Sequence, residues 1–194
     1  MRRIKDITIV GGGSAAWLAA TYIQNNFWDL PVTVIDKDVG NPIGVGEATV
    51  LTFPLFLRQC GIDLPQWFKN VDGTYKAGID FPHWKSPKNR VWHPFYLNRS
   101  YFDLKTTQYD IWAQKQEQDF RKTALPCFDT IMQDRLDMYN SFETLAYHID
   151  AGKLVTELQN ICSRTVRTIK SDVVNVNRDE DGYITSLDLK NGAI

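Results

Sequence analysis

The sequence has almost no net charge. Lys plus Arg number 22 and Asp plus Glu 23, which leaves −1. No basic excess exists to neutralise phosphates, so a nucleic-acid partner is not expected. Cysteine is scarce too. Cys60, Cys127 and Cys162 are odd in number and far apart, with no C-x-x-C pair. A disulfide framework and a zinc site are both disfavoured, which points to a reducing, cytoplasmic setting and no resident metal. No apolar run approaches the ~20 residues of a membrane span, so no membrane partner is expected. Met1-Arg2-Arg3 and the apolar residues from Ile4 to Ala20 outline a signal peptide, but Asp6 and Gly11-Gly12-Gly13 break the run.

What remains is an ordinary globular composition, 43% apolar and 23% charged over 194 residues. Ile4 to Val10 is a short β-branched run ending at three glycines, the pattern of a buried parallel strand meeting a tight turn. Ser14 to Asn26 is helical, with Trp17, Ala20, Tyr22 and Ile23 on an apolar side. Val32 to Ile35 is a second strand, closing a βαβ unit at Asp36. Gly40 to Pro54 is rich in glycine and proline and reads as a long ordered loop that runs into a helix near Phe53 to Cys60. Trp67 to Arg99 is dense in aromatics, as a pocket wall or a packed irregular layer would be. Tyr109 to Lys122 looks helical. Asp150 is placed to cap a helix to about Arg164, with Leu154, Val155, Leu158, Ile161 and Cys162 on one face. Asp172 to Asn177 and Tyr183 to Lys190 are strands around the turn signal Asp181-Gly182, and Asn191-Gly192 signals a further turn. The fold class is α/β: a Rossmann-like dinucleotide unit, a parallel sheet and a β-meander. Residues 1–50 form the βαβ unit and the following loop, 51–145 an inserted helical and aromatic region, and 146–194 the return helix and meander.

Gly11-x-Gly13-x-x-Ala16 sits between the first strand and the first helix, the context that gives this pattern meaning. Gly11 permits the turn, Gly13 lets the backbone approach a pyrophosphate, and Ala16 lets helix and strand pack closely. The helix start at Ser14 and Ala15 then offers free N–H groups and a positive dipole end to phosphates. Asp36, followed by Lys37, is placed to accept hydrogen bonds from a ribose and argues against a 2′-phosphate. The pattern leaves NAD and FAD both open.

Four segments together resemble the flavin-dependent halogenases, the tryptophan halogenase family. They are Gly11-Gly-Gly-Ser-Ala-Ala-Trp17, Ile43-Gly-Val-Gly-Glu-Ala-Thr49, Gly73-Thr-Tyr-Lys-Ala-Gly-Ile-Asp-Phe81 and Ala146-Tyr-His-Ile-Asp-Ala151. The resemblance runs in the family's order from about Ile4 to the last residue. It implies an FAD-binding fold. It also implies reduced FAD delivered by a transiently bound, separate flavin reductase, and chloride or bromide oxidised with O2 to hypohalous acid. A lysine then relays that species to a small, electron-rich, indole-like aromatic. By motif the lysine is Lys76. The flavin would be lined by Ile43, Val45, Gly46 and Ala48, Val173 would sit near the adenine end, and His93 and Phe95 would hold the substrate. A homodimer is compatible with the resemblance. An ordinary lysine is neutral in only roughly one molecule in 2,500 at pH 7, so a free-amine relay costs about 4–5 kcal/mol, whereas a hydrogen-bonding ammonium avoids that cost.

Other residues have plainer readings. Glu47 is read as orienting its loop through backbone hydrogen bonds, and His83 and His148 as packing or surface histidines. The family's W-x-W-x-I-P signature, its catalytic glutamate and the strand that completes its flavin sheet find no match here. The chain therefore reads as an N-terminal portion, incomplete at its C-terminus, of a protein more than twice as long. The alternatives are a truncated, non-catalytic FAD-binding module and an FAD-dependent aromatic monooxygenase. Lys76 speaks against the latter, because hydroxylation needs no such lysine.

Overall fold

The computed structural model describes residues 4–37, 45–84, 86, 90–95 and 145–193. Ile43, Gly44, Tyr96, Cys127 and the helix expected over Tyr109–Lys122 lie outside these residues. In chain order the first elements are β1 (Ile7–Val10), α1 (Ser14–Asn26), β2 (Val32–Ile35), β3 (Gly46–Ala48), α2 (Thr52–Gln59) and α3 (Leu64–Asn70). Then come β4 (Thr74–Lys76), β5 (Gly78–Pro82), β6 (Arg90–Pro94), β7 (Ala146–Asp150) and α4 (Ala151–Cys162). The last are β8 (Val166–Ile169), β9 (Val173–Arg178), β10 (Ile184–Leu189) and β11 (Gly192–Ala193). They fall into two compact units. The first comprises Met1–Gly46, Gln59–Gly61 and Asp150–Ile194, the second Glu47–Arg58 and Ile62–Ile149.

In the first unit, β2 pairs in parallel with β1 on one side and β8 on the other, so that Val32 lies opposite both Ile7 and Val166. Central position explains the β-branched, buried character of β2. The first strand begins at Ile7, later than the expected Ile4, whose side chain is exposed. The strand β8 was not anticipated: Val-Arg-Thr-Ile alternates weakly, and pairing to β2 rather than its own pattern makes it a strand. Helix α1 packs against α4. Buried Thr21 gives its Oγ1 hydrogen to Trp17 O at 2.7 Å and meets Cys162 Sγ at 3.2 Å. Cys60 and Cys162 are buried free thiols. Burial and the neighbouring Cys162 raise Cys60 to about 11, and burial raises Cys162, so neither is poised as a nucleophile at neutral pH.

Asp150 caps α4 as the sequence predicts, accepting from Lys153 N at 2.8 Å. The buried face is Ala151, Leu154, Val155, Leu158 and Cys162. Ile161 does not belong to it: one residue before Cys162, it turns outward and is exposed. The tail is an antiparallel meander, β9-β10-β11. Its first hairpin closes through Asp179, which accepts from Gly182 N at 2.9 Å and gives its own N–H to Tyr183 O at 2.9 Å, with Gly182 at φ +85. The second turn, at Asn191-Gly192, sends β11 back along β10. Leu187 and Leu189 of the meander bury against Ile35, with Ile169 and Val173 alongside.

The second unit holds a three-stranded sheet, β3-β7-β4, and the β5–β6 hairpin. Its centre is aromatic. The Tyr147 ring, fully buried, packs edge-on to Phe68 (5.0 Å) and Tyr75 (6.1 Å) and meets Trp67 at 6.1 Å. Trp67 is 2% exposed and Tyr147 0%, so this part of the aromatic-rich stretch is core rather than pocket wall. Gly73 is required here, because a Cβ would lie 2.5 Å from the Phe68 ring.

The burial pattern of α4 makes a direct prediction. Leu158→Ala removes about 2–5 kcal/mol of stability, while Ile161→Ala stays within about 0.5 kcal/mol, measured by urea unfolding. Equal losses would place Ile161 in the core after all.

Candidate functional site

In the first unit the glycine turn is held by Gly11 N donating to Ile35 O at 2.8 Å, and Gly11 adopts φ +115, a region reserved for glycine. Gly13 is the N-cap of α1. Among the described residues no side chain caps this end, and no acidic residue occupies the first turn. The N–H groups of that turn are left for an outside acceptor, with Gly13 and Ala15 exposed and Ser14 and Ala16 half-buried. Open space lies where a Gly13 side chain would stand.

Asp36 extends β2. Its N–H donates to Ile169 O at 3.0 Å and its carbonyl accepts from Ser171 N at 3.2 Å, so β8 fixes its backbone. Its carboxyl group lies over Gly12, where a Cβ would stand 2.7 Å from Asp36 Cγ. Sequence reasoning gave roles to Gly11 and Gly13. Gly12 has a further constraint, the Asp36 side chain packed where its Cβ would be, and only the folded position of Asp36 reveals it. Donors for a pyrophosphate and a carboxylate for a ribose are thus side by side, and these residues fit a dinucleotide. Lys37 follows, exposed.

Within the Gly44–Thr49 motif, Val45 is exposed and its carbonyl accepts from Ala151 N at 3.1 Å. Gly46 and Ala48, expected in a loop, belong to β3, which pairs onto the edge of β7. A ladder partner 100 residues away turns them into strand. Glu47 is exposed within the same strand. Val173 packs its side chain into the cluster of Ile35, Leu187 and Leu189.

In the second unit, Lys76, His93 and Phe95 come together. Lys76 Nζ donates to Thr49 O at 3.1 Å and stands 4.8 Å from the centroid of the Phe95 ring. Phe95 is buried and held by its N–H on Ala77 O at 2.6 Å. His93, exposed, lies edge-on to Phe95 at 5.3 Å. A carbonyl and an aromatic face both attract an ammonium, the second by about 0.5–2 kcal/mol depending on desolvation.

His148 joins this corner unexpectedly. In the β4–β7 pairing, Thr74 lies opposite His148 and Lys76 opposite Ala146, which puts Lys76 and His148 on one sheet face as diagonal neighbours. Desolvation, and secondarily the Lys76 charge, lower the His148 pKa below its ordinary 6.5. No local signal could have found this, because the register joins residues 72 positions apart. His83 is exposed, at φ +62. Among the described residues no cluster of three His, Cys, Asp or Glu could hold a metal ion, and no helix is long and apolar enough to cross a membrane.

Comparison with known proteins bears on the family and the fold. The family model described as tryptophan halogenase matches residues 6–194. The tryptophan 6-halogenase ThaL of Streptomyces albogriseolus is 29% identical over 99% of this chain and 41% of its own length. The 7-chloro-L-tryptophan 6-halogenase KtzR of a Kutzneria species is 28% identical over 92% of this chain and 40% of its own length. Among solved structures, a flavin-dependent halogenase from Xanthomonas campestris superposes with a TM-score of 0.80 at 27% identity, over 98% of this chain and 40% of that one. The chain thus spans about 40% of the length of these relatives. The α/β fold with its parallel sheet agrees with theirs.

A proton titration tests the corner. His148 titrates below the ordinary histidine value, so the native state binds fewer protons than the unfolded chain. Its cost to folding is absent above about pH 6.5 and grows as the pH falls through that range. In an NMR titration Lys76→Met raises the His148 pKa but only part of the way, because desolvation is the larger cause. An unmoved His148 would separate the two residues.

Proposed function

The chain belongs to the tryptophan halogenase family, and from that premise we propose that it carries the FAD-binding and lysine-relay parts of a flavin-dependent halogenase acting on an indole-like aromatic. The open first turn at Gly11, Gly13, Ser14, Ala15 and Ala16 would receive the pyrophosphate. Asp36 would take the ribose hydroxyls, with Lys37 beside it. Ile43, Val45, Gly46 and Ala48 would line the flavin. Val173 would meet the adenine end through its main chain, since its side chain is committed to the core. Residues 51–145 would form the substrate side. Reduced FAD, regenerated by a separate reductase, supplies with O2 the oxidant that converts chloride or bromide to hypohalous acid.

The chemistry then falls to Lys76. The observation that carries this reading is the Lys76 amine fixed between Thr49 O and the Phe95 ring, whose edge-on neighbour is His93. Both contacts suit an ammonium, so Lys76 acts as a hydrogen-bond donor to the oxygen of hypohalous acid. The donated hydrogen bond makes that oxygen a better leaving group. The aromatic carbon forms its bond to halogen and the halogen–oxygen bond breaks with its electrons on oxygen; the departing hydroxide takes a proton from the Lys76 ammonium and leaves as water, and the proton then lost by the ring restores the ammonium. Exposed His93, with buried Phe95 behind it, would supply a face against which a flat aromatic can stack.

In the full-length protein, Lys76→Ala abolishes halogen transfer while flavin affinity stays within about twofold. Normal product yield from that variant would remove Lys76 from the reaction. Gly12→Ala forces a methyl group into the Asp36 carboxyl group and weakens FAD binding by more than about tenfold, ~1.4 kcal/mol, in a flavin-fluorescence titration. Unchanged affinity would show that the glycine turn does not hold the nucleotide.

A further inference from the structure

Thr49 closes the Gly44–Thr49 motif, and sequence alone gives it no separate task. In the fold it makes four short polar contacts. Its N–H donates to Tyr147 O at 2.8 Å. Its hydroxyl donates to the same carbonyl at 3.1 Å and accepts from Tyr147 N at 2.7 Å. Its own carbonyl accepts from Lys76 Nζ at 3.1 Å. Threonine is suited to this position because a hydroxyl is donor and acceptor at once. Alanine or valine would leave the Tyr147 N–H without its partner.

The anchor is rigid. Tyr147 is fully buried, and its ring contacts Trp67, Phe68 and Tyr75. The same strand holds Lys76, since Lys76 lies opposite Ala146 and Tyr75 opposite Tyr147. The lysine backbone and the carbonyl that receives its amine therefore hang from neighbouring residues of β7. We propose that Thr49 is the positioning residue for Lys76, its hydroxyl clamping the main chain so that the carbonyl parks the amine over Phe95. One of three N–H groups is used in this way, and among the described residues no other acceptor takes the remaining two. They are the donors the relay requires. The inference rests on the lysine reading above and adds what holds the lysine in place.

The test compares Thr49→Val with Thr49→Ser in the full-length protein, supplied with FAD, a reductase and halide. Thr49→Val lowers kcat for halogenation by about tenfold or more, with flavin affinity and the KM for the aromatic within about twofold. The share of hypohalous acid lost to an added scavenger rises. Thr49→Ser, which keeps the hydroxyl, returns kcat to within about threefold of the parent. Normal kcat and scavenger loss in Thr49→Val, or failure of serine to rescue, overturns the proposal. A second measurement needs no turnover: the labelling rate of the Lys76 amine by an amine-reactive reagent, read by peptide mass spectrometry. Release from the carbonyl speeds labelling in Thr49→Val and not in Thr49→Ser, and equal rates in all three proteins overturn the proposal. Thr49→Ala takes the place of valine if that variant does not fold. If Lys76→Ala still halogenates, the relay reading fails alone, because labelling still reports whether Thr49 holds the amine.

Discussion

Strand β7 and its buried tyrosine are the constraint from which the second unit is built. Tyr147 works on both sides of the sheet plane's logic: its ring fills the aromatic core, and its backbone N–H and carbonyl are taken by Thr49. Its neighbour Ala146 sets the register of Lys76. A ring that large and fully buried cannot shift without opening a void among Phe68, Tyr75 and Trp67. The polar groups tied to it inherit that rigidity. The lysine corner is therefore fixed by packing some distance from the amine itself, and its accuracy comes from the core.

The first unit relies on a different device, the close approach of a side chain to a glycine. The Asp36 carboxyl group occupies the space that any side chain at position 12 would need. Strand β2 delivers Asp36 there, and β8 locks its backbone through Ile169 and Ser171. The end of the parallel sheet and the start of α1 thus form one surface that sets backbone N–H donors beside a carboxyl group. The meander supports it from below, with Leu187 and Leu189 packed on Ile35, the residue before Asp36. The chain belongs to the tryptophan halogenase family and spans about 40% of the length of the relatives it matches.

Much of this was legible in the residues, and the legible parts share a cause. Ser14–Asn26 and Val32–Ile35 have the bounds the sequence predicts, because periodicity, glycine punctuation and β-branching act over a few residues. The cap at Asp150 and the turn at Gly182 were readable for the same reason. The misreadings are all non-local. Ile161 was put on a buried face that the helix rotates away from the core, and β8 and β3 are strands by virtue of partners distant in the chain.

The sequence by itself determined which chemical groups are on offer: a glycine turn at a helix start, an acid at a strand end, and a lysine among aromatics, in a family's order. Those properties reside in residue identity and short spacing. Only the tertiary structure decided which groups meet. Gly12 meets the Asp36 side chain, Lys76 rests on Thr49 and Phe95, and His148 shares its sheet face. Each of these pairings joins residues 19 to 72 positions apart, and strand register, set by the burial of Tyr147 and Ile35, brings them within reach.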